Sequence, residues 1–266
     1  MKYKGLVISG GGYKGLGYLG ALEYLNEHKY LDNITHFSGS SIGSILCTYF
    51  CLGYTPQEIL DATHTFSFKD LEINILNLQN SWALSDVTTT NRQFKNLMSC
   101  LPENFTLLDL FKKTQKHLYI CTTNLVQKKS IYLSHENNPS LLVIDAIKAS
   151  CAIPFVFPPF TINNILCIDA CVSEYCPWKT LKLPEEEIIL VYNVSDEPPK
   201  PMTFFNFIFQ ILRLFLQPLE SNNTFKIGLS LNNIPTVSFK QVFNKDEVQK
   251  FFNQGYENCK TLITKH

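Results

Sequence analysis

Charge is scarce in this chain and neither sign prevails. The 23 Lys and Arg balance 23 Asp and Glu, together 17% of 266 residues, below the roughly 25% of ordinary soluble domains. With no net charge and no Lys/Arg block, bulk electrostatics gives no pull toward nucleic acid, and no nucleic-acid partner is expected. The sequence also lacks a Pro/Gly/Ser-rich linker, an internal repeat and a low-complexity tract, which argues against a string of small domains. A chain of this length can bury one large core. It opens on a strand pattern rather than a charged segment followed by an apolar h-region, so a secretory leader is not expected. The nine cysteines are odd in number, which points to reduced thiols and a cytoplasmic setting. Cys47 and Cys51 are one helical turn apart, but no second pair at zinc-ligand spacing accompanies them. Cys167, Cys171 and Cys176 form no Cys-x-x-Cys. These thiols read as small buried hydrophobes, and neither a metal nor an organic cofactor is expected.

What is present is an alternation of apolar strands and helices. Gly5–Ser9, Ile34–Ser38, His117–Asn124, Ser130–Ser134, Ile165–Ile168 and Ile188–Val194 read as strands. Leu16–Asn26, Ile42–Cys51, Asn91–Cys100, Leu107–Thr114 and Ile144–Ser150 read as helices. Another helix should start at Thr55-Pro56-Gln57-Glu58, where Thr55 can cap, Pro56 suits the first turn and Glu58 can reach back. This order predicts an α/β fold, a three-layer α/β/α sandwich with a largely parallel central sheet. In such sheets reactive groups collect at the carboxyl ends of the strands.

Two glycine-rich turns occupy such ends. Ser9-Gly10-Gly11-Gly12-Tyr13-Lys14-Gly15 offers a row of backbone N–H groups at a helix start, where an oxyanion could rest. Gly39-Ser40-Ser41-Ile42-Gly43 has the form of a nucleophile elbow with Ser41 at its tip. A serine hydroxyl needs a base. Of the histidines His28, His36, His64, His117, His135 and His266, only the last residue of the chain follows Asp169, which itself ends a predicted strand. A histidine triad in the usual hydrolase order is therefore disfavoured, and a serine–carboxylate dyad is the better expectation. The run Gly10-x-Gly12-x-x-Gly15 also fits a dinucleotide fingerprint formally. The next strand, however, leads into Gly39-Ser40-Ser41 rather than to an acidic residue.

With these motifs the chain resembles the patatin-like phospholipases. The likeness runs from about Lys2 to about Val194. It includes Phe105-Thr106-Leu107-Leu108-Asp109-Leu110-Phe111, the strand ending Cys121-Thr122-Thr123-Asn124-Leu125, Asp145-Ala146-Ile147-Lys148-Ala149-Ser150-Cys151-Ala152-Ile153-Pro154, and Phe157-Pro158-Pro159. The resemblance implies a lipid acyl hydrolase acting on lipid or phospholipid without a cofactor. Ser41 would be the nucleophile and Asp169 the general base. Gly10, Gly11 and Gly12 would be the oxyanion donors, and Lys14 would stand at a substrate-binding position where the family has Arg or Lys. It also implies an acyl-hydrolase core over 1–195, with 196–266 as a C-terminal helical extension of the same domain.

Two departures bear on activity. The family usually reads Asp-Gly-Gly or Asp-Gly-Ala after its base, whereas this chain reads Asp169-Ala170-Cys171, and Tyr175 stands where an Asn is usual. If the glycine position needs positive φ, Ala170 is strained by roughly 1–2 kcal/mol. The competing expectation is then a weakly active or non-catalytic lipid-binding relative. Beyond the core, residues 202–217 carry Thr203, Asn206, Gln210, Arg213 and Gln217 as a narrow polar stripe on an otherwise apolar helical pattern. The stretch is too short and too polar for a membrane span. Two expectations stay open for it: burial against the sheet, or peripheral contact with a membrane.

Overall fold

The computed structural model describes residues 2–63, 74–194, 207, 210–211, 219, 221–222, 224–237 and 243–265. Eight strands form one sheet: β1 (Gly5–Ile8), β2 (His36–Ser40), β3 (His117–Asn124), β4 (Lys129–Leu133), β5 (Phe160–Ile162), β6 (Ile165–Ile168), β7 (Ile188–Val194) and β8 (Phe225–Ser230). The pairs β1–β2, β1–β7, β2–β3 and β7–β8 are parallel, and the β4, β5 and β6 pairings are antiparallel. The described helices are α1 (Gly15–Glu27), α2 (Ile42–Leu52), α3 (Pro56–Thr63), α4 (Asn77–Ser81), α5 (Val87–Leu97), α6 (Leu107–Thr114), α7 (Val143–Ser150) and α8 (Lys245–Thr264). This is the mixed α/β architecture, with a largely parallel central sheet flanked by helices, that the strand–helix alternation predicts.

The central strands read as unbroken apolar runs because both faces of the sheet are covered. Leu6, Ile8, Phe37, Leu118, Ile120, Ile189 and Val191 face the large core beneath the helices. Their neighbours Val7, Tyr119, Ile188 and Leu190 face a smaller core with Cys176 and Leu181, following the two-residue period of a strand.

Capping chemistry sets several helix starts. Thr55 and Glu58 bond reciprocally ahead of α3, and Thr106 and Asp109 do so at α6. The structure starts α5 at Val87, earlier than the expected Asn91. The run Val87-Thr88-Thr89-Thr90 has poor helix propensity, but the Asp86 carboxylate accepts from the Thr89 N–H at 2.7 Å and starts the helix there. Strand β5 and helix α4 had no sequence expectation; α8 lies within the helical extension expected over 196–266, where strand β8 was not expected.

Beyond residue 195, β8 adds to the sheet beside β7 and α8 lies along α1. The α1–α8 contact is backbone on backbone. A Cβ on Gly20 would stand 1.8 Å from the Phe252 carbonyl oxygen, and one on Gly255 would stand 1.8 Å from that of Gly17. The 202–217 stretch lies outside the described residues except for Phe207, Gln210 and Ile211, of which Phe207 and Ile211 are exposed.

Candidate active site

Strand register brings the reactive residues together. β3 pairs with β2 along His117–Cys121, with β4 along Ile120–Asn124 and with β6 at Thr123 and Asn124. Because β4 overlaps both of the others, it must hold one edge of β3 alone, and β2 and β6 must share the opposite edge. They run toward each other along it. Ser40 lies opposite Cys121 and Ile168 opposite Thr123, so the two chain ends meet beside Thr122. The residues that follow are Ser41 and Asp169.

Ser41 has φ 53° and ψ −124°, a strained conformation for a non-glycine residue, costing on the order of 1–3 kcal/mol. The flanking glycines serve close approach rather than positive φ. A Cβ on Gly39 would stand 2.4 Å from the Gly43 backbone, and one on Gly43 would stand 2.1 Å from the Ile8 carbonyl oxygen. Strand and helix can therefore fold back against each other and leave the serine at the tip. The Ser150 hydroxyl accepts from the Ser41 N–H at 2.9 Å, and the Ser44 hydroxyl donates to the Ser41 carbonyl at 2.6 Å.

The Ser41 hydroxyl donates to Asp169 Oδ2 at 2.7 Å, and the Cys171 N–H donates to Oδ1 at 2.8 Å. Asp169 is 4% exposed. Burial pushes its pKa up to about 6, against the opposing pull of the Ser41 and Cys171 hydrogen bonds. A carboxyl with that value is ionised at neutral pH yet basic enough to accept a proton. Threonines fix its backbone: Thr122 Oγ1 donates to the Ile168 carbonyl and Thr123 Oγ1 to that of Asp169, both at 2.9 Å. Desolvation and the Asp169 charge hold the Cys171 thiol well above its ordinary pKa, so it stays protonated and is not a rival nucleophile.

The glycine loop divides its duties. The Gly10 N–H, expected as an oxyanion donor, donates to the Tyr175 carbonyl at 3.1 Å. Its bare Cα is what the site uses: a Cβ there would stand 1.9 Å from Cys171 Sγ and 3.3 Å from Ser41 Cβ. The Gly11 and Gly12 N–H groups donate to no acceptor among the described residues. Gly12 has φ +58°, and a Cβ on it would stand 1.9 Å from the Thr236 carbonyl oxygen. Tyr18 Oη donates to the Gly10 carbonyl at 2.9 Å and holds the loop from below. Lys14 is buried with interactions of its own and does not line the cleft. Ala170 has no positive φ; it opens a short 3-10 turn capped by Asp169, so the strain considered for it does not arise.

Ser41 sits in the wall of a cleft that opens to solvent. Leu16, Leu19, Ile45, Phe94, Phe157 and Val248 make most of the remaining wall apolar. Val248 comes from α8 and Phe243 from just before it, so the C-terminal region contributes to the site. Thr122, Thr123 and Ser150 lie in segments that carry the resemblance and Tyr175 at a departure from it, but the sequence assigned them no role; Val248 carried no signal. Their roles rest on backbone contacts and packing. His64 and His266 lie outside the described residues.

The comparisons agree with this architecture. The family model described as patatin-like phospholipase matches residues 6–182, and the chain belongs to that family. Membership places it among the lipid ester hydrolases. It is 31% identical to the "Probable lipid hydrolase 463L" of Invertebrate iridescent virus 6, over 99% of this chain and 89% of that protein. It is 32% identical to "Triacylglycerol lipase 5" of Saccharomyces cerevisiae, over 58% of this chain but 22% of the yeast protein. Among solved structures, VipD from Legionella pneumophila superposes with a TM-score of 0.62 at 16% identity, over 100% of this chain and 67% of that one. That likeness concerns the fold.

Proposed function

We propose that the chain releases fatty acids from glycerolipids, as a phospholipase A or lysophospholipase does, using Ser41 as nucleophile and Asp169 as general base. The observation that carries this reading is the 2.7 Å hydrogen bond from Ser41, in the wall of an apolar cleft, to the buried Asp169. As Ser41 Oγ forms a bond to the ester carbonyl carbon, its proton passes to Asp169. The carbonyl oxygen becomes an oxyanion beside the Gly11 and Gly12 N–H groups at the start of the 3-10 turn. The protonated Asp169 then gives its proton to the departing alkoxide as the ester C–O bond breaks, leaving an acyl-Ser41 ester. Water attacks that ester with Asp169 as base, and the fatty acid leaves as Ser41 regains its proton. Each oxyanion donor contributes roughly 3–4 kcal/mol to the transition state.

The apolar wall suits an acyl chain and offers few side-chain partners for a polar head group, which supports a lipid ester. The printed names of the relatives point the same way. The non-catalytic alternative loses its main support, because Ala170 imposes no backbone strain. The test is active-site labelling with a fluorophosphonate: wild type is labelled and Ser41→Ala is not. Labelling of the variant at the wild-type level would remove Ser41 from the mechanism.

Peripheral contact with a membrane belongs to the same reading. Trp82 and Phe155 are 62% and 46% exposed and both have positive φ, at 56° and 67°. Bulky residues seldom adopt such a conformation, and here it presents two large apolar groups to the surface. The two segments are paired, with Ala83 bridged to Phe155 and the Leu84 N–H donating to the Phe155 carbonyl at 2.8 Å. Ile75, Leu76 and Val87 are exposed nearby in sequence. Phe157, two residues past Phe155, lines the cleft. The patch is thus only two residues along the chain from a cleft-lining side chain, and a lipid surface is the occupant it fits.

A further inference from the structure

The carboxyl ends of the strands hold the reactive serine. A different group of side chains meets at their amino ends. His117 opens β3, and His135 and Glu136 follow directly after β4, whose Leu133 lies opposite Ile120. Each of the three side chains can present one ligating atom, and these atoms all lie within 4.8 Å of one another.

The spacing is informative. His117 Nδ1 is buried and makes no hydrogen bond, and Glu136 Oε1 is its carboxylate neighbour at 3.8 Å. That gap is too long for a hydrogen bond. It is close to the edge of a tetrahedron whose centre holds a zinc ion, roughly 3.4 Å for bonds near 2.1 Å. Each ligand is also oriented by a neighbour. His36 stacks on His117 with centroids 4.4 Å apart and planes 5° from parallel. Phe111 stacks on His135 at 3.9 Å and 4°. The Tyr119 hydroxyl donates to Glu136 Oε1 at 3.0 Å. Metal ligands held by such supporting groups lose little freedom on binding.

We propose that His117, His135 and Glu136 form a binding site for one divalent first-row transition ion, with zinc as the best match. Two imidazoles and one carboxylate are borderline ligands of the kind zinc takes, and water would complete the coordination. Such an ion would pin the start of β3 to the turn after β4, at the end of the sheet away from Ser41. Its role is therefore structural and separate from ester cleavage. The metal-binding potential was invisible as a motif because seventeen residues and a strand reversal separate His117 from His135.

The test uses the full chain stripped with a chelator and titrated calorimetrically with Zn²⁺, and with Co²⁺ as a spectroscopic probe. Wild type should bind one ion with a Kd in the micromolar range or below. His135→Ala and Glu136→Gln should each weaken binding at least tenfold while preserving the circular dichroism spectrum and the turnover of a short-chain ester. The Co²⁺ complex should show ligand-field bands without thiolate-to-metal charge transfer, which sets this site apart from the nine cysteines. Titrations of the two variants that superpose on wild type, a thiolate band, or binding only at millimolar Zn²⁺ would each overturn the proposal.

Discussion

Asp169 works against the stability of the molecule that holds it. Its folded pKa of about 6 lies above the ordinary aspartate value of 3.8, so between those values the native state binds more protons than the unfolded chain. Stability attributable to this group is fully present below about pH 4, where both states are protonated, and it is lost as pH rises through 6. The burden at pH 8 is about 3 kcal/mol. Asp169→Asn removes the charge and with it the base. The variant should therefore lose on the order of 10²–10⁴-fold in kcat. In urea titrations it should gain up to about 3 kcal/mol at pH 8 and nothing at pH 4. For wild type, kcat/KM should climb with pH and level off above about 6. A flat pH–rate profile across that range, or a variant equally destabilised at both pH values, would contradict this assignment of the base.

At the scale of elements, the least forgiving contact is the glycine seam between α1 and α8. Gly255→Ala places a methyl group 1.8 Å from the Gly17 carbonyl oxygen, and neither helix backbone can yield locally. The expected cost is about 1–3 kcal/mol or more, read as a lower denaturation midpoint. Because Val248 of α8 lines the cleft, turnover should fall with it. A midpoint and a turnover both equal to wild type would show that the helices separate freely.

Elements also show how far the sequence could be read. The Leu107–Thr114 helix and the strands His117–Asn124, Ile165–Ile168 and Ile188–Val194 agree residue for residue with the structure, because each combines an apolar period with clear boundary residues. The elbow and the glycine loop were legible because their geometry demands glycine. β8 was not, since Phe225–Ser230 contains Lys226 and Gly228 and gains its strand character from pairing with β7. The role of Gly10 was not legible either. Three consecutive glycines look alike in sequence, and the Tyr175 carbonyl bonded to the first of them leaves no motif.

Taken whole, a molecule with the proposed function must reach a substrate that is itself part of an aggregate. No helix among the described residues is long and apolar enough to cross a membrane. The Trp82–Phe155 patch carries the contact with lipid in the proposal, and Phe207 and Ile211 offer further exposed apolar surface. Replacing Trp82 and Phe155 together by Asp should reduce co-flotation with liposomes several-fold. Hydrolysis of a monomeric short-chain ester should stay near the wild-type level, since neither side chain lines the cleft. Undiminished flotation of a folded double variant would assign lipid contact to another surface.

The head-on meeting of β2 and β6 has one more consequence. β6 is the returning arm of a hairpin whose two-residue loop, Asn163-Asn164, has φ values of 49° and 63°, the pattern of a tight type I′ reversal. One residue more in that loop would slide the arm by about 3.3 Å and turn alternate side chains to the other face. The carboxylate would then swing away from the hydroxyl although every residue of the site was still present. The distance between the proposed nucleophile and its proposed base is thus measured out by the length of a remote surface loop.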